Sequence, residues 1–191
     1  PLGELALVSS GITKGRRTSE QTKPVPDLAV SNVQAGSLNL DAVKEIDATA
    51  GEIKKYALED GDLVLTEGGD PDKLGRGTVW RNELPLSLHQ NHIFRVRVHP
   101  DARLKPDYLS AYMASRPARA YFLRAAKQTT GIASINMTQL KNLPVFVPPP
   151  GKQDEYLRRV GVAKTHAATM LKQASDLDAL FTSLQSRAFR G

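Results

Sequence analysis

The sequence predicts a globular α+β domain with a short-stranded sheet and a few helices, followed by one long C-terminal coiled-coil helix. Before residue 148, short apolar runs alternate with turns rich in glycine and proline, and some stretches have helical patterns. At Pro148–Gly151 the composition changes, and the residues beyond contain no proline and a single internal glycine, Gly161. We therefore divide the chain into a domain at 1–147, a stiff proline-rich joint at 148–151 and a helix at 152–191.

Six segments of the domain predict strands, because each is short, apolar and bounded by turn residues. They are Leu5–Ser9, Asp27–Val33, Asp62–Leu65, Thr78–Trp80, Ile93–Val98 and Val145–Val147. In Ile93–Val98, alternation places Phe94, Val96 and Val98 on one face. Arg95 and Arg97 fall on the other face, so the pattern predicts a half-buried strand with a basic exposed side.

Three helices are predicted within the domain, at Pro106–Ser115, Arg119–Lys127 and, more briefly, Asn136–Lys141. Pro106 suits the first position of its helix, where the missing amide N–H would have had no intrahelical partner.

The C-terminal segment has an uninterrupted heptad pattern. Ten apolar or aromatic residues follow one another at alternating spacings of four and three, which is typical of the a and d positions of a coiled coil. They are Tyr156, Val160, Ala163, Ala167, Met170, Ala174, Leu177, Phe181, Leu184 and Ala188. A helix of about 38 residues would be on the order of 57 Å long. Because a domain of ~150 residues is only some 30–40 Å across, we predict that this helix pairs with another helix.

The chain is basic, with a net charge of +6 and an isoelectric point near 9.6, which suits an anionic partner. The charge is unevenly distributed: Asp41–Asp62 holds seven acids and three bases, whereas Arg95–Lys127 holds eight bases and two acids. A solvated helical face would give the same excess of bases, so charge alone leaves both interpretations open.

Composition also excludes two classes of protein. No run of eighteen apolar residues is present and no signal-peptide pattern opens the chain, so we expect no membrane contact. Cysteine is absent, which removes disulfide frameworks and cysteine zinc sites and favours a cytoplasmic location.

The sequence offers no convincing catalytic centre. His89 and His92 have a metal-like spacing, but residues three apart on a strand point to opposite faces and would need a bulge to chelate one ion. Gly75–Gly77 lacks the spacing of a phosphate-binding P-loop.

Two alternatives to a non-catalytic DNA-recognition protein stay open. One is a protein-interaction module whose basic surface is incidental. The other is a metal-dependent nuclease, although its acids would crowd into one loop instead of converging from separate elements. The residues of that site would be Glu67, Asp70, Asp72 and Lys73. We expect neither metal nor cofactor on this chain.

The stretch LTEGGDPDKLGRG, residues 65–77, is best interpreted as a DNA-facing loop. Its four glycines let backbone N–H groups approach a surface closely, and its basic side chains suit phosphate. The segment KQTTGIASINMTQ, residues 127–139, adds amides that can read adenine, and TKGRR at 13–17 adds cations. Any one of these polar residues has a simpler role in capping a loop. The predicted DNA-binding residues are Lys14, Arg16, Arg17, Gly69, Asp70, Lys73, Arg76, Arg81, Gln90, Asn91, Lys127, Gln128, Thr129 and Asn136.

Several long strings resemble the specificity subunits of type I restriction-modification systems. They are NVQAGSLNLDAVKEI, YALEDGDLVLTEGGDPDKLGRGTVW, HQNHIFRVR, YFLRAAKQTTGIASINMTQLKNLPVFVPPP and LFTSLQSRAFRG, and the resemblance covers nearly the whole chain. In that family two target recognition domains each read one half of a bipartite DNA site, and two long helices pack antiparallel as a spacer. The resemblance implies one target recognition domain at 1–147 and one spacer helix at 152–191.

One domain and one helix make half of the family pattern. We expect either a piece of a longer subunit, which the first residue Pro1 also suggests, or a half-subunit that dimerises through its helix. A two-fold dimer would read identical half-sites in inverted orientation.

The resemblance also implies partners. These are double-stranded DNA, methyltransferase subunits and, through them, a motor/nuclease subunit. The methyltransferase would bind S-adenosylmethionine and methylate adenine at N6. The resemblance implies no catalysis and no cofactor on this chain.

Overall fold

The computed structural model describes residues 1–70, 74–129 and 132–189 and divides into two units, Pro1–Pro148 and Pro149–Gly191. The strands are β1 (Ala6–Ser10), β2 (Thr22–Leu28), β3 (Lys44–Thr49), β4 (Leu63–Thr66), β5 (Gly68–Gly69), β6 (Gly77–Val79), β7 (Leu88–His89), β8 (Ile93–Val98), β9 (Lys127–Thr129) and β10 (Ile132–Ser134). The helices are α1 (Ala50–Tyr56), α2 (Pro106–Met113), α3 (Arg116–Ala125), α4 (Met137–Lys141) and α5 (Pro150–Ala188), with short 3-10 turns at Leu2–Glu4 and Val30–Asn32. Short strands and helices followed by one long helix confirm the predicted α+β class. Among the described helices, none combines the length and apolar character needed to cross a membrane.

The first sheet is antiparallel, with strand order β1-β8-β4-β6. β8 has the predicted bounds and pairs on both sides, Val96 lying opposite Val8 of β1 and Leu63 of β4. All three of these side chains are buried, so the centre of this sheet is part of the core.

The predicted basic exposed face of β8 is wrong. The Arg95 side chain is only 6% exposed, and its Nη1 donates to the carbonyl oxygens of Lys55 (3.2 Å) and Ala57 (2.9 Å). Those carbonyls lie at the C-terminal end of α1, where they have no intrahelical donor and where the helix dipole favours a cation. Arg97 forms a bidentate pair with buried Asp62, with both N···O distances 2.7 Å. The alternation of polar and apolar residues does not reveal these partners, because it shows which side chains share a strand face and not which other elements cover that face.

The second sheet has the order β3-β2-β7, with β2 antiparallel to β3 and parallel to β7. Its side chains Val25, Ala48 and Leu88 pack with Ile12 in one buried cluster. A second buried cluster surrounds the fully buried Trp80. It includes Leu28 and so joins the second sheet to the first sheet.

Three predicted strands are displaced by one residue, and two others differ by more. Asp27–Val33 is wrong beyond Leu28, because the Asn32 side chain accepts from Ala29 N–H (2.8 Å) and donates to the Asn39 carbonyl (2.8 Å), which fixes a turn. Val145–Val147 is not a strand. Its neighbouring carbonyls are instead satisfied by tyrosine hydroxyls, Tyr108 donating to Phe146 O (3.2 Å) and Tyr112 to Pro144 O (2.7 Å).

Helix boundaries also move by a few residues. α3 begins at Arg116, earlier than predicted, because the Ser115 side chain accepts from the Ala118 N–H and caps the first turn. α5 begins at Pro150, so two residues of the predicted joint belong to the helix. Proline fits there because the first turn of a helix leaves its N–H groups unpaired, while Pro149 before it keeps an extended backbone.

Candidate nucleic-acid interface

Two segments that are distant in sequence, and that were both predicted to face DNA, meet in one small sheet. β5 belongs to the stretch 65–77, and β9 and β10 belong to the segment 127–139. The strand order is β5-β10-β9, with Ala133 paired to Gly69 on one side and to Gln128 on the other. The pairing makes the two segments one continuous local surface.

The glycines of 65–77 allow close packing within the domain. Gly75 has φ +70°, and a Cβ added to it would lie 2.5 Å from Phe122 Cε2 of α3. At Gly77 the same atom would lie 2.1 Å from the Val64 carbonyl oxygen. No real side chain tolerates such distances, so these two glycines hold the end of the stretch against α3 and β4.

Arg76 lies between these two glycines and is half-buried. Its carbonyl accepts from Thr66 N–H (2.9 Å), and its Nη1 reaches Gln34 Oε1 at 3.5 Å. Its Nε is buried without a hydrogen-bond partner in the described part of the chain. A buried N–H donor without an acceptor is costly, and the exposed part of the same guanidinium is the part that a phosphate could reach.

The segment 127–139 contributes one exposed cation and one capping residue. Lys127 begins β9, is exposed, and forms no ion pair with a described residue. Asn136 caps α4: its side chain accepts from Gln139 N–H (2.8 Å), and the Gln139 side chain accepts from Asn136 N–H (2.7 Å). Outside the described residues lie Lys73 and the side chains of Gln128 and Thr129. Asp70, beside Gly69, is exposed.

The basic stretch 13–17 is tied to α1 through Arg16. The guanidinium of Arg16 pairs with Glu52 through two hydrogen bonds, one of 2.6 Å, and also donates to the Asp47 carbonyl (2.6 Å). The hydrogen bond from Arg16 lowers the pKa of Glu52 to about 2. Arg16 thus has an internal partner, while the neighbouring Arg17 is exposed beside an open groove of about 540 Å³.

Lys14 and Gln90 lie beside a buried carboxylate. Asp27 is fully buried, and Lys14 Nζ stands 3.8 Å from its Oδ2. Burial raises the pKa of Asp27, and the nearby Gln90 amide and Lys14 oppose that rise. The amide is close without meeting hydrogen-bond geometry, since both Asp27 oxygens and Gln90 Nε2 are unsatisfied within the described residues. An under-satisfied polar cluster of this kind is more typical of a functional site than of a core.

The turn between β7 and β8 carries Asn91 and the two histidines. Asn91 is half-buried and uses its backbone, its N–H donating to the Ile12 carbonyl (3.0 Å). The His89 Nδ1 lies 3.0 Å from Ile93 O in the core, while exposed His92 pairs with Glu67 at 2.9 Å. Burial lowers the pKa of His89 to about 4. The two histidines thus lie in different environments, one in the core and one at the surface.

Arg81 is held by acids of its own domain. Its Nη2 lies 2.5 Å from both carboxylate oxygens of Asp107, and its Nη1 lies 3.7 Å from Asp60. The hydrogen bond to Asp107 raises the pKa of Arg81. Its predicted contact with DNA would have to compete with this pair.

Residues 1–70, 74–129 and 132–189 contain no group of three or more histidines, cysteines or acids placed to hold a metal ion. Asp72 and Lys73 of the nuclease alternative lie outside those residues.

Sequence inspection missed α1 and the pairing that depends on it. Thr49 and Glu52 form a reciprocal capping box, with distances of 2.9 and 3.2 Å. The signal was present in the sequence as T-x-x-E before an apolar position.

The heptad residues of α5 lie on one helix without interruption. From Gly161 to Phe189 every described residue is exposed, including Met170 (69%), Leu177 (66%) and Phe181 (61%). A row of large exposed apolar side chains on a single helix is typical of a helix that pairs with another.

Comparisons with known proteins point to one family, although no family model matches the chain. The specificity subunit of the type I restriction enzyme EcoKI from Escherichia coli K12 is 28% identical over 172 residues, which are 87% of this chain and 37% of that subunit. The StySPI specificity subunit from Salmonella potsdam is 29% identical over 154 residues, 78% of this chain and 33% of that subunit. The chain therefore spans about a third of the length of these curated relatives.

Solved structures share the fold. The HsdS subunit from Thermoanaerobacter tengcongensis matches all of this chain with a TM-score of 0.61 and 16% identity, over 44% of its own length. A chain from a structural study of complex assembly and conformational transition in a type I R-M system matches with a TM-score of 0.66 and 14% identity, over 45% of its length. The sequence relatives and the shared fold together confirm the resemblance: the chain is similar to part of a type I restriction-modification specificity subunit.

Proposed function

We propose that this chain is a DNA-recognition module of a type I restriction-modification system, in which Pro1–Pro148 reads one half of a bipartite site and α5 acts as spacer and assembly element. The observation that carries the proposal is the β5-β10-β9 sheet, which joins the glycine-rich stretch 65–77 to the polar segment 127–139. Exposed Lys127 and half-buried Arg76 supply charge for phosphate beside that sheet.

The chain itself performs no chemistry in this proposal. Methyltransferase subunits would bind S-adenosylmethionine and modify adenine, and a motor/nuclease subunit would join through them. A second specificity half, or a second copy of this chain, would pair along α5. We place such an assembly on double-stranded DNA in the cytoplasm.

Modified-base sequencing tests the proposal directly. DNA from cells that express the chain with its methyltransferase subunits should carry N6-methyladenine in one bipartite motif, and cells with the methyltransferase alone should lack it. Methylation without a motif, or none at all, would leave the protein-interaction alternative as the better account.

The contribution of single side chains is measured by salt dependence. Lys127→Ala and Arg76→Ala should each lower the slope of log affinity against log salt by about one unit, the loss expected for one phosphate contact. Lys54→Ala is the matched control, because Lys54 is also an exposed cation but lies in the acidic segment Asp41–Asp62. Equal slopes for all three variants would remove Lys127 and Arg76 from the interface.

The spacer role of α5 has its own test. Seven residues inserted in heptad register add about 10.5 Å of helix, which corresponds to about three base pairs at 3.4 Å each. The unread gap of the methylated motif should lengthen, whereas replacing a heptad without changing the length should leave the gap alone. If the insertion left the gap unchanged, α5 would not set the distance between the two halves of the site.

A further inference from the structure

The outward face of α3 is an exposed row of arginines that the interface described above does not include. The inner face of the helix buries Ala118 and Phe122. The outer face exposes Arg116, Arg119, Leu123 and Arg124, and Lys127 follows directly as an exposed residue at the start of β9. Arg116, Arg119 and Leu123 follow one another at helical spacings of three and four, and Arg124 adjoins Leu123, so these four form one broad stripe on α3.

No acid accompanies this stripe in the surrounding sequence. From Tyr108 to Pro148 the chain contains five lysines and arginines and neither aspartate nor glutamate. Within the described part of the chain, Arg116, Arg124 and Lys127 form no ion pair. By contrast Arg16, Arg81 and Arg97 are each paired with a carboxylate.

Arg116 and Arg124 do not support the domain through an ion pair with any residue that the structure describes. Arg116 is the first residue of α3, where the helix dipole favours an acid and disfavours a cation. No acid lies in that first turn. Cations spaced along one helix face also repel each other. Arg116 and Arg124 thus carry charge that no described acid balances, which suits an external anion.

The stripe is continuous with the small sheet of the interface. Phe122, on the inner face of α3, is the residue against which Gly75 packs. Lys127 then carries the stripe into β9, whose neighbour β10 pairs with β5. Lys127 therefore links the cationic face of α3 to the sheet along the chain.

We propose that the outward face of α3 binds the phosphate backbone of the DNA that flanks the recognised bases, with Arg116 and Arg124 as the principal phosphate ligands. This inference rests on the proposed function, since it assumes that the domain binds DNA. The face carries charge without base-reading amides, so it contributes affinity and orientation and not sequence preference.

The test measures DNA affinity of the complete chain, assembled with its methyltransferase subunits, against salt concentration. Arg116→Ala/Arg124→Ala should lower the slope of log affinity against log salt by about two units, while the methylated motif stays the same. Lys44→Ala/Lys54→Ala removes the same charge from the acidic segment and should leave the slope at the wild-type value. Thermal unfolding should show that the arginine variant is as stable as wild type or more so, because the charge opposed to the helix dipole is gone.

The outcomes separate the two proposals. An unchanged slope in the arginine variant, with motif-specific binding by wild type, overturns the inference and leaves the proposed function in place. Loss of methyltransferase assembly at an unchanged slope overturns it too, and assigns the face to protein docking through exposed Leu123. A wild-type assembly that shows no motif-specific binding overturns the proposed function and the inference with it.

Discussion

Gly75 lies against the ring of Phe122, so closely that a Cβ on Gly75 would stand 2.5 Å from Phe122 Cε2. Gly75→Ala should therefore destabilise the domain through two effects. The φ of +70° strains an alanine, and its Cβ clashes with a fully buried ring. We expect a loss of about 2–4 kcal/mol in the free energy of unfolding, measured by urea denaturation.

Gly15→Ala is the matched control for that variant. Gly15 has φ +71°, but nothing lies within 4 Å of an added Cβ, so only the backbone strain of about 1–2 kcal/mol remains. Equal losses for the two variants would show that the Phe122 contact contributes nothing.

The Asp62–Arg97 pair should be a main electrostatic support of the first sheet. Asp62 is 1% exposed and accepts from both Arg97 and the Glu59 N–H (2.8 Å). Asp62→Ala leaves the guanidinium without its bidentate partner and should cost about 3 kcal/mol in urea denaturation. Glu59→Ala removes a partner that is 66% exposed and should cost less than about 1 kcal/mol. A small effect of Asp62→Ala would mean that solvent replaces the carboxylate.

The stability of the domain should fall in mild acid because of His89. Its pKa is about 4 in the folded protein, against 6.5 for the free side chain, because burial disfavours the charged ring. Between these values the unfolded chain binds more protons, so the contribution is full above pH 6.5 and is lost as the pH falls toward 4. The total loss is on the order of 3 kcal/mol.

Urea denaturation at pH 7.5 and pH 4.5 measures this contribution. His89→Gln cannot titrate and should show a smaller difference between the two pH values than wild type. His166→Gln, which changes an exposed histidine of α5, should keep the wild-type difference. If His89→Gln retained the full difference, the acid sensitivity would belong to other groups.

Buried Asp27 should act in the opposite direction. Burial raises its pKa, so its charged form is unfavourable at neutral pH and the folded protein gains stability as the pH falls through the raised value. Asp27→Asn should therefore stabilise the domain at pH 7, which thermal unfolding would measure. Asp47→Asn, at an exposed carboxylate, should change little. A destabilised Asp27→Asn variant would show that the attraction of Asp27 to Lys14 and Arg16 outweighs the cost of burying its charge.

The apolar seam of α5 should control association. Phe181→Glu places a charge in the seam and should shift the solution mass of the chain, measured by sedimentation, from the paired to the single species. Ser183→Glu adds the same charge off the seam and should preserve pairing. A Phe181→Glu chain that still pairs would move the contact to another face of the helix.

Local patterns predicted the elements whose cause is local. β8 has its predicted bounds, because alternation over six residues is a strong signal, and α5 follows from an unbroken heptad repeat. β2 was largely missed because Pro24 and Pro26 argue against a strand. They are tolerated since β7 pairs only with Asp27 and Leu28, so that the earlier part of β2 is an edge on that side.

The site was harder to predict, because its pairings are long-range. The sequence indicated both halves of the β5-β10-β9 sheet as polar, DNA-facing segments, but nothing local indicated that they pair. Arg16 and Arg81 looked like free cations, because their partners Glu52 and Asp107 lie far away in sequence. Only tertiary structure separates an arginine that has an internal acid from one, such as Arg124, that has none in the described part.

Gly68 and Gly75 give the stretch 65–77 a modular character. Gly68 is fixed by its approach to Ala133 and Ser134, and Gly75 is fixed by Phe122, so the scaffold sets both ends of the six residues between them. Two of the six also belong to the scaffold, because Gly69 pairs with Ala133 and Leu74 is buried. Under the proposed function, a change of DNA target would therefore be confined to the few residues between Gly69 and Leu74, whose exchange removes neither anchor.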